Sequence, residues 1–281
     1  MSVVAIIGAG EIGSAVAYAL ARRARVRDVR LVDHAADVAS GKALDIRQTG
    51  PIEEFDTAVS GRGDVLDAVN SDLIVIADAV ADGEWEGERG LAMVKQLVRA
   101  GSKAPMVFAG PKQMWLMEAA VREAGVSTDA IVGSAAGAVH GGLCALVGLD
   151  VNGSGVDVAA AVVGRAPSFT IGWTSATLGG SLLSTFMPPH RMVAVSNTLK
   201  KLWPPKPHAI GAATATIVEG LLFGARRNLY ATTVLNGEYG ERGIATMLPL
   251  ELGNRRILRR LEPSLSTQER VEFLNTLSKR G

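Results

Sequence analysis

The residues best placed for chemistry are three glycines near the N-terminus. Gly8, Gly10 and Gly13 sit in VVAIIGAGEIG, a Gly-x-Gly-x-x-Gly turn between an apolar run and an alanine-rich helical pattern over 14–22. A strand, turn and helix in that order aim backbone N–H groups and the positive end of a helix at a pyrophosphate. Gly8 permits the tight turn, Gly10 lets phosphates approach the backbone, and Gly13 lets helix pack on strand; Glu11 and Ile12 complete the turn. A second apolar run, 29–32, ends at Asp33, twenty residues beyond Gly13. A carboxylate there accepts hydrogen bonds from ribose hydroxyls and disfavours a ribose phosphate. Turn and carboxylate together read as a dinucleotide site, and the carboxylate selects NAD over NADP. His34 falls beside Asp33, at the adenine end.

The elements that must hold this site follow from hydrophobic patterning. Apolar runs at 3–7, 29–32, 57–60, 73–77, 105–109 and 130–133 alternate with helical patterns at 14–22, 36–49, 65–69, 91–100 and 114–125. Six strands alternating with helices predict a parallel, doubly wound α/β sheet of the Rossmann type. Gly50-Pro51 is expected to end the second helix, and 83–90 (GEWEGERG) reads as an acidic, glycine-punctuated loop. The second half has a different texture. Strands are expected at 156–164 and 231–235, and helices at 192–202, 210–223 and 266–279, the last opened by a Ser266–Glu269 capping box. The predicted fold is thus a Rossmann sheet followed by a smaller α+β domain, with residues 1–137 in the first and 138–281 in the second.

Composition narrows the function classes. The 281 residues include 29 basic and 28 acidic side chains, a net charge of +1, which provides no broad field for nucleic acid or anionic lipid. No segment is long and apolar enough to span a bilayer, and the apolar N-terminus lacks the basic flank of an export signal. A single cysteine, Cys144, leaves no intrachain disulfide and no multi-cysteine metal site; a reducing cytoplasm fits, and no metal is expected. Cys144 lies in an apolar run and reads as an inert packed thiol. The cluster Arg255, Arg256, Arg259 and Arg260 reads as a solvated face balanced by Glu251 and Glu262.

The chain resembles the lactate/malate dehydrogenase family. The likeness rests on GAGEIG followed by Asp33, GKALDIRQTGP at 41–51, SDLIVIADA at 71–79 and HAIGAATATIVEGLL at 208–222. It continues through NGEYGERG at 236–243, LPLELG at 248–253 and the closing LSTQERVEFLNTLSK. The resemblance implies an NAD-binding domain, an α+β substrate domain, a dimer or tetramer, and hydride transfer between a 2-hydroxy acid and nicotinamide. It also implies where the chemistry should sit, and there the chain departs. Ala166 stands in the place of the proton-transferring His, and the helix that should carry an orienting Asp and a carboxylate-gripping Arg reads Ala138-Val139-His140-Gly141-Gly142. The Asn-Pro turn is Gly110-Pro111. The lid, which should carry two Arg, holds Asp82 and Glu88, with Arg89 one position off.

Without that acid–base pair and anion grip, ordinary lactate or malate turnover is not expected. Two readings follow. One is an NAD-dependent oxidoreductase acting on another CH–OH or carbonyl substrate, with His140 as base and Arg165 and Lys112 as anion grip. The other is a catalytically inactive NAD(H)-binding sensor or partner protein, with His140 a helix residue and the two cations solvated. His190 and His208 read as surface or satisfied structural residues. Trp85 is open between a lid anchor and a packing residue.

Overall fold

The computed structural model describes residues 2–278. Its first half runs β1 (Val3–Ile7), α1 (Glu11–Arg23), β2 (Asp28–Val32), α2 (Ala36–Glu53), β3 (Ala58–Arg62) and β4 (Leu73–Ile76). A two-residue hairpin follows, β5 (Asp78–Ala79) with β6 (Gly83–Glu84), then α3 (Gly87–Arg99), β7 (Met106–Phe108), α4 (Met114–Ala124), β8 (Ile131–Gly133) and α5 (Ala135–Asp150). The strands lie in the order β3-β2-β1-β4-β7-β8, all parallel. That is the doubly wound order with its switch point between β1 and β4.

The remainder is antiparallel: β9 (Val158–Arg165), β10 (Ser168–Leu178), β11 (Ser181–Leu182), β12 (Leu229–Asn236), β13 (Arg242–Gly253) and β14 (Arg256–Arg260). Helices α6 (Pro189–Lys201), α7 (Pro207–Phe223) and α8 (Thr267–Ser278) complete it. The antiparallel strands do not form a sheet of their own. β12 pairs β8 at Thr232 and Gly133, so one 12-stranded sheet runs through both halves.

Alternation of faces explains why β1 and β4 are apolar throughout. Val4 and Ile6 face one layer with Leu73 and Val75, while Ala5 and Ile7 face the other with Ile74 and Ile76, and all are fully buried. The first layer is built by Val16 and Leu20 of α1 and Ile210 and Ile217 of α7; the second by Leu91 and Leu97 of α3 and Leu116 and Ala120 of α4. Helices α1 and α7 meet across the two halves. A Cβ on Gly211 would lie 2.7 Å from the Ala15 backbone, and Arg23 reaches Thr216 Oγ1 at 3.0 Å and the Ala212 carbonyl at 3.2 Å.

Several boundaries differ from expectation. α2 continues through Gly50-Pro51 for one more turn and ends at Glu54, which at φ 59° turns its N–H back to Gly50 O. The stretch 83–90 is not wholly loop: it holds β6 and the start of α3. α7 begins three residues early, with Pro207 in its first turn, where a missing N–H costs nothing. The Ser266–Glu269 box forms as expected, Ser266 N–H to Glu269 Oε2 at 2.7 Å and Glu269 N–H to Ser266 Oγ at 3.4 Å. Lys279, placed in that helix from sequence, lies outside the described residues.

Candidate cofactor site

The Gly-x-Gly-x-x-Gly turn lies at the carboxyl end of β1, beside the switch point. Gly8, at φ 109°, donates its N–H to Val32 O at 2.7 Å. Gly13 packs so tightly that a Cβ would sit 2.0 Å from Gly8 O. Glu11 and Ile12 open α1. Lys42, on α2, pins the turn from outside: its Nζ donates to Ala9 O at 2.6 Å and to Gly10 O at 3.3 Å.

Asp33 is buried and aimed at the turn. Its Oδ2 accepts from Ala9 N–H at 2.9 Å and Val80 N–H at 3.0 Å, and its Oδ1 from Ala35 N–H at 3.0 Å. Burial by itself would raise its pKa, but the three N–H donors and the His34 charge together hold it below the ordinary 3.8. A carboxylate offers about four acceptor positions, so little capacity is left for a ribose.

The residue that sequence reasoning missed is Asp78. It follows the apolar run of β4, and its carboxylate accepts from Gly13 N–H at 2.8 Å and Ile12 N–H at 3.2 Å, while its carbonyl accepts from Gly10 N–H at 2.8 Å. A Cβ on Gly10 would lie 2.3 Å from Asp78 Oδ2, so the space that this glycine keeps open is filled by the protein itself. Its one sequence signal, an acidic residue at the carboxyl end of an apolar strand, acquires meaning only once strand order sets β4 beside β1. These N–H groups are the ones that a diphosphate would need. With Asp78 in this position the residues do not fit that part of a dinucleotide.

The trio His140, Arg165 and Lys112 is not assembled. His140 on α5 stacks on Tyr230 with ring centroids 4.1 Å apart and lies 3.7 Å from Cys144 Sγ. Arg165, at the end of β9, is locked in a mostly buried ion pair with Glu118 and donates to Ala245 O at 2.9 Å, while Glu118 accepts the Ala245 N–H. Lys112 is exposed, 3.6 Å from Glu86. No partner is common to the three. Topology is the reason: α5, the β9 end and the loop after β7 serve different neighbours.

Burial pushes the His140 imidazole down to about 4, with the Arg227 charge adding to the fall and a hydrogen bond to Ala160 opposing it. The ring is therefore neutral at physiological pH. In a pH series of NMR spectra its ring protons should hold one shift from pH 5.5 to 8; a midpoint of about 6.5, the ordinary imidazole value, would put the ring in water.

The residues that the resemblance places in a lid are likewise consumed locally. Arg89 pairs with Asp82 at 2.6 Å, donates to Glu84 O at 2.9 Å and lies 4.7 Å from the centroid of the Trp85 ring. Trp85 is buried among the residues of α3 and α4, a packing residue, and its indole N–H has no hydrogen-bond partner among the described residues. Gln113 is buried and ties the loop after β7 to the end of β4, accepting from Gly110 N–H at 2.9 Å and donating to Ala77 O at 3.0 Å. Val139 and Gly142 face an apolar cavity of about 290 Å³ with Leu199, Trp203 and Pro204, rimmed by Lys201 and Lys206. Of the basic cluster near the C-terminus, Arg255 pairs with Asp72 and Arg259 with Glu251, while Arg260, expected on a solvated face, is instead buried against Asp129. Among the described residues no group of His, Cys, Asp or Glu is arranged to hold a metal ion, and no helix is long and apolar enough to cross a membrane.

Comparison with known proteins places this geometry. Residues 2–102 match the family described as lactate/malate dehydrogenase, NAD binding domain. The chain is 25% identical to the malate dehydrogenase of Chlorobium limicola, over 95% of this chain and 92% of that protein. It is 28% identical to that of Thermomicrobium roseum, with the same coverage. The fold is shared with the malate dehydrogenase of Salinibacter ruber, at a TM-score of 0.86 and 24% identity over 98% of this chain and 93% of that one. It is shared too with a minor L-lactate dehydrogenase of Enterococcus mundtii, at 0.88 and 20% over 99% and 96%. Residues 2–102 thus match that family's NAD-binding domain, and over nearly its whole length the chain is similar to malate dehydrogenases and shares the fold of lactate and malate dehydrogenases.

Proposed function

We propose that this protein binds a nicotinamide dinucleotide without turning over lactate or malate, and acts as an NAD(H)-binding sensor or partner protein. Residues 1–137 supply the cofactor half and 138–281 a substrate-like half that has lost its anion grip. The observation that carries the reading is the cavity against Val139 and Gly142. Where the resemblance calls for a carboxylate and a guanidinium, the wall is aliphatic and backbone. Arg165, the nearest charge in sequence to the missing His, is neutralised by Glu118. His140 is neutral and stacked on Tyr230.

A missing general acid–base lowers a rate by about 10²–10⁴. A missing bidentate Arg removes a further ~1.5–3 kcal/mol of charge-assisted binding. The test is a NADH oxidation assay with a panel of 2-oxo acids, oxaloacetate and pyruvate included. No oxidation above the buffer rate is expected. Turnover of either acid overturns the reading, whereas oxidation with an uncharged carbonyl compound would favour the oxidoreductase alternative. The proposal includes a cytoplasmic homo-oligomer, dimer or tetramer, whose mass light scattering would give.

A further inference from the structure

The dinucleotide-binding reading meets an obstacle inside the fold. The N–H groups of Ile12 and Gly13, at the N-terminus of α1, already hold an anion, and that anion is Asp78. We propose that Asp78 is a tethered stand-in for the dinucleotide's diphosphate, so that NAD binds only when the β5–β6 hairpin moves off the glycine turn. The proposal rests on the dinucleotide-binding reading.

Three observations support it. First, the contact is a replacement in kind: a carboxylate with two charge-assisted hydrogen bonds from N–H groups at a helix N-terminus, the arrangement by which such turns take phosphate. Its close approach depends on Gly10 having no side chain. Second, the hairpin is also tied to Asp33, whose carboxylate accepts the Val80 N–H. One short segment therefore covers both the diphosphate seat and the carboxylate that would meet a ribose. Third, the closed hairpin carries opposing terms. The indole N–H of Trp85 is buried without a hydrogen-bond partner among the described residues. The Glu84 carboxyl is pushed up first by burial and also by the charges of Glu86 and Asp78, against the N–H and charge of Lys112. A segment held at one end by Asp78 and loaded at the other by these groups is a two-state element.

The arithmetic of such an element is simple. When the open form is about 0.1–10% of the population, apparent affinity for NAD falls by roughly ten- to a thousandfold, the inverse of that fraction. Direct repulsion between the Asp78 carboxylate and the diphosphate acts in the same direction. Removing the carboxylate should therefore tighten binding, the opposite of what deleting a structural cap or a cofactor ligand would do.

The test is a NADH fluorescence titration of the full chain as wild type, Asp78→Ala and Asp78→Asn, each checked for folding by its melting transition. At least about tenfold tighter binding by Asp78→Ala is expected, with Asp78→Asn between it and wild type. Equal or weaker binding by both variants, with wild type binding measurably, overturns the tethered-anion proposal and leaves dinucleotide binding standing. No binding by any of the three at millimolar NADH overturns both. Should Asp78→Ala not fold, Asp78→Asn alone decides by the same criterion. Hydrogen exchange provides an independent readout in whichever protein binds. NADH should protect the Ile12 and Gly13 amides while speeding exchange at Val80 and Trp85 in wild type; protection of both sets together would mean that the hairpin stays closed over the ligand.

Discussion

Gly13→Ala should cost this protein about 4 kcal/mol or more, an exceptional loss that overpacking backbone against backbone can reach. An added Cβ would lie 2.0 Å from Gly8 O and 2.9 Å from Gly8 C. Neither is the end of a flexible side chain, so relief requires α1 to lift from β1, and α1 is clamped on its other side by Gly211 of α7. For a chain of this size the melting temperature should drop by roughly 10 °C. Gly41→Ala is the matched control. Gly41 lies within α2 with nothing within 4 Å of its Cβ position, and alanine there should stabilise by about 0.5–1 kcal/mol. Denaturant unfolding of both variants checks the pair; similar losses in the two would contradict the tight strand–helix contact.

The second large effect is expected at Asp33. Asp33→Ala leaves the N–H groups of Ala9, Ala35 and Val80 without their acceptor. Only the Ala9 donor is fully buried, and a buried donor left unpaired costs about 1–3 kcal/mol, so the variant should lose about that much at pH 7. The dependence on pH has a definite sign. The folded carboxyl titrates below the ordinary 3.8, so its contribution is fully present above about pH 4 and is lost as pH falls through the folded value. Urea unfolding of wild type and variant from pH 7 to pH 3 should therefore show a gap that is constant down to about pH 4 and then narrows. A gap that widens on acidification would mean that Asp33 is not held ionised by these donors.

The parallel half of the fold is readable from sequence because buried strands write their environment plainly. The runs around Val4–Ile7 and Leu73–Ile76 are apolar on both faces because helices cover both. The antiparallel half is less legible. β10 carries Gly172, Thr174 and Ser175 inside it and shifts register against β9 between Gly172 and Thr177, so its alternation is broken where a pattern reader would need it. β13 contains Pro249, which reads as punctuation although it pairs with Tyr230.

At the site, Gly8, Gly10, Gly13 and Asp33 were legible as local motifs with fixed spacing. Asp78 was not, because its partners Ile12 and Gly13 lie more than 60 residues away and only strand order brings β4 beside β1. The trio His140, Arg165 and Lys112 failed for the complementary reason. Shared proximity to an aligned position says nothing about which neighbour, Tyr230, Glu118 or Glu86, a side chain will choose.

The continuous sheet has a consequence for how this chain can be divided. Cutting between residues 137 and 138 would break α5, strip Thr232 from β8 and expose its ladder as a free edge. It would also take from α1 the glycine face of α7 and the acceptors of Arg23. The smallest piece able to present the glycine turn in its native shape thus extends well past the segment that contains it. The unit of folding is larger than the unit of nucleotide recognition.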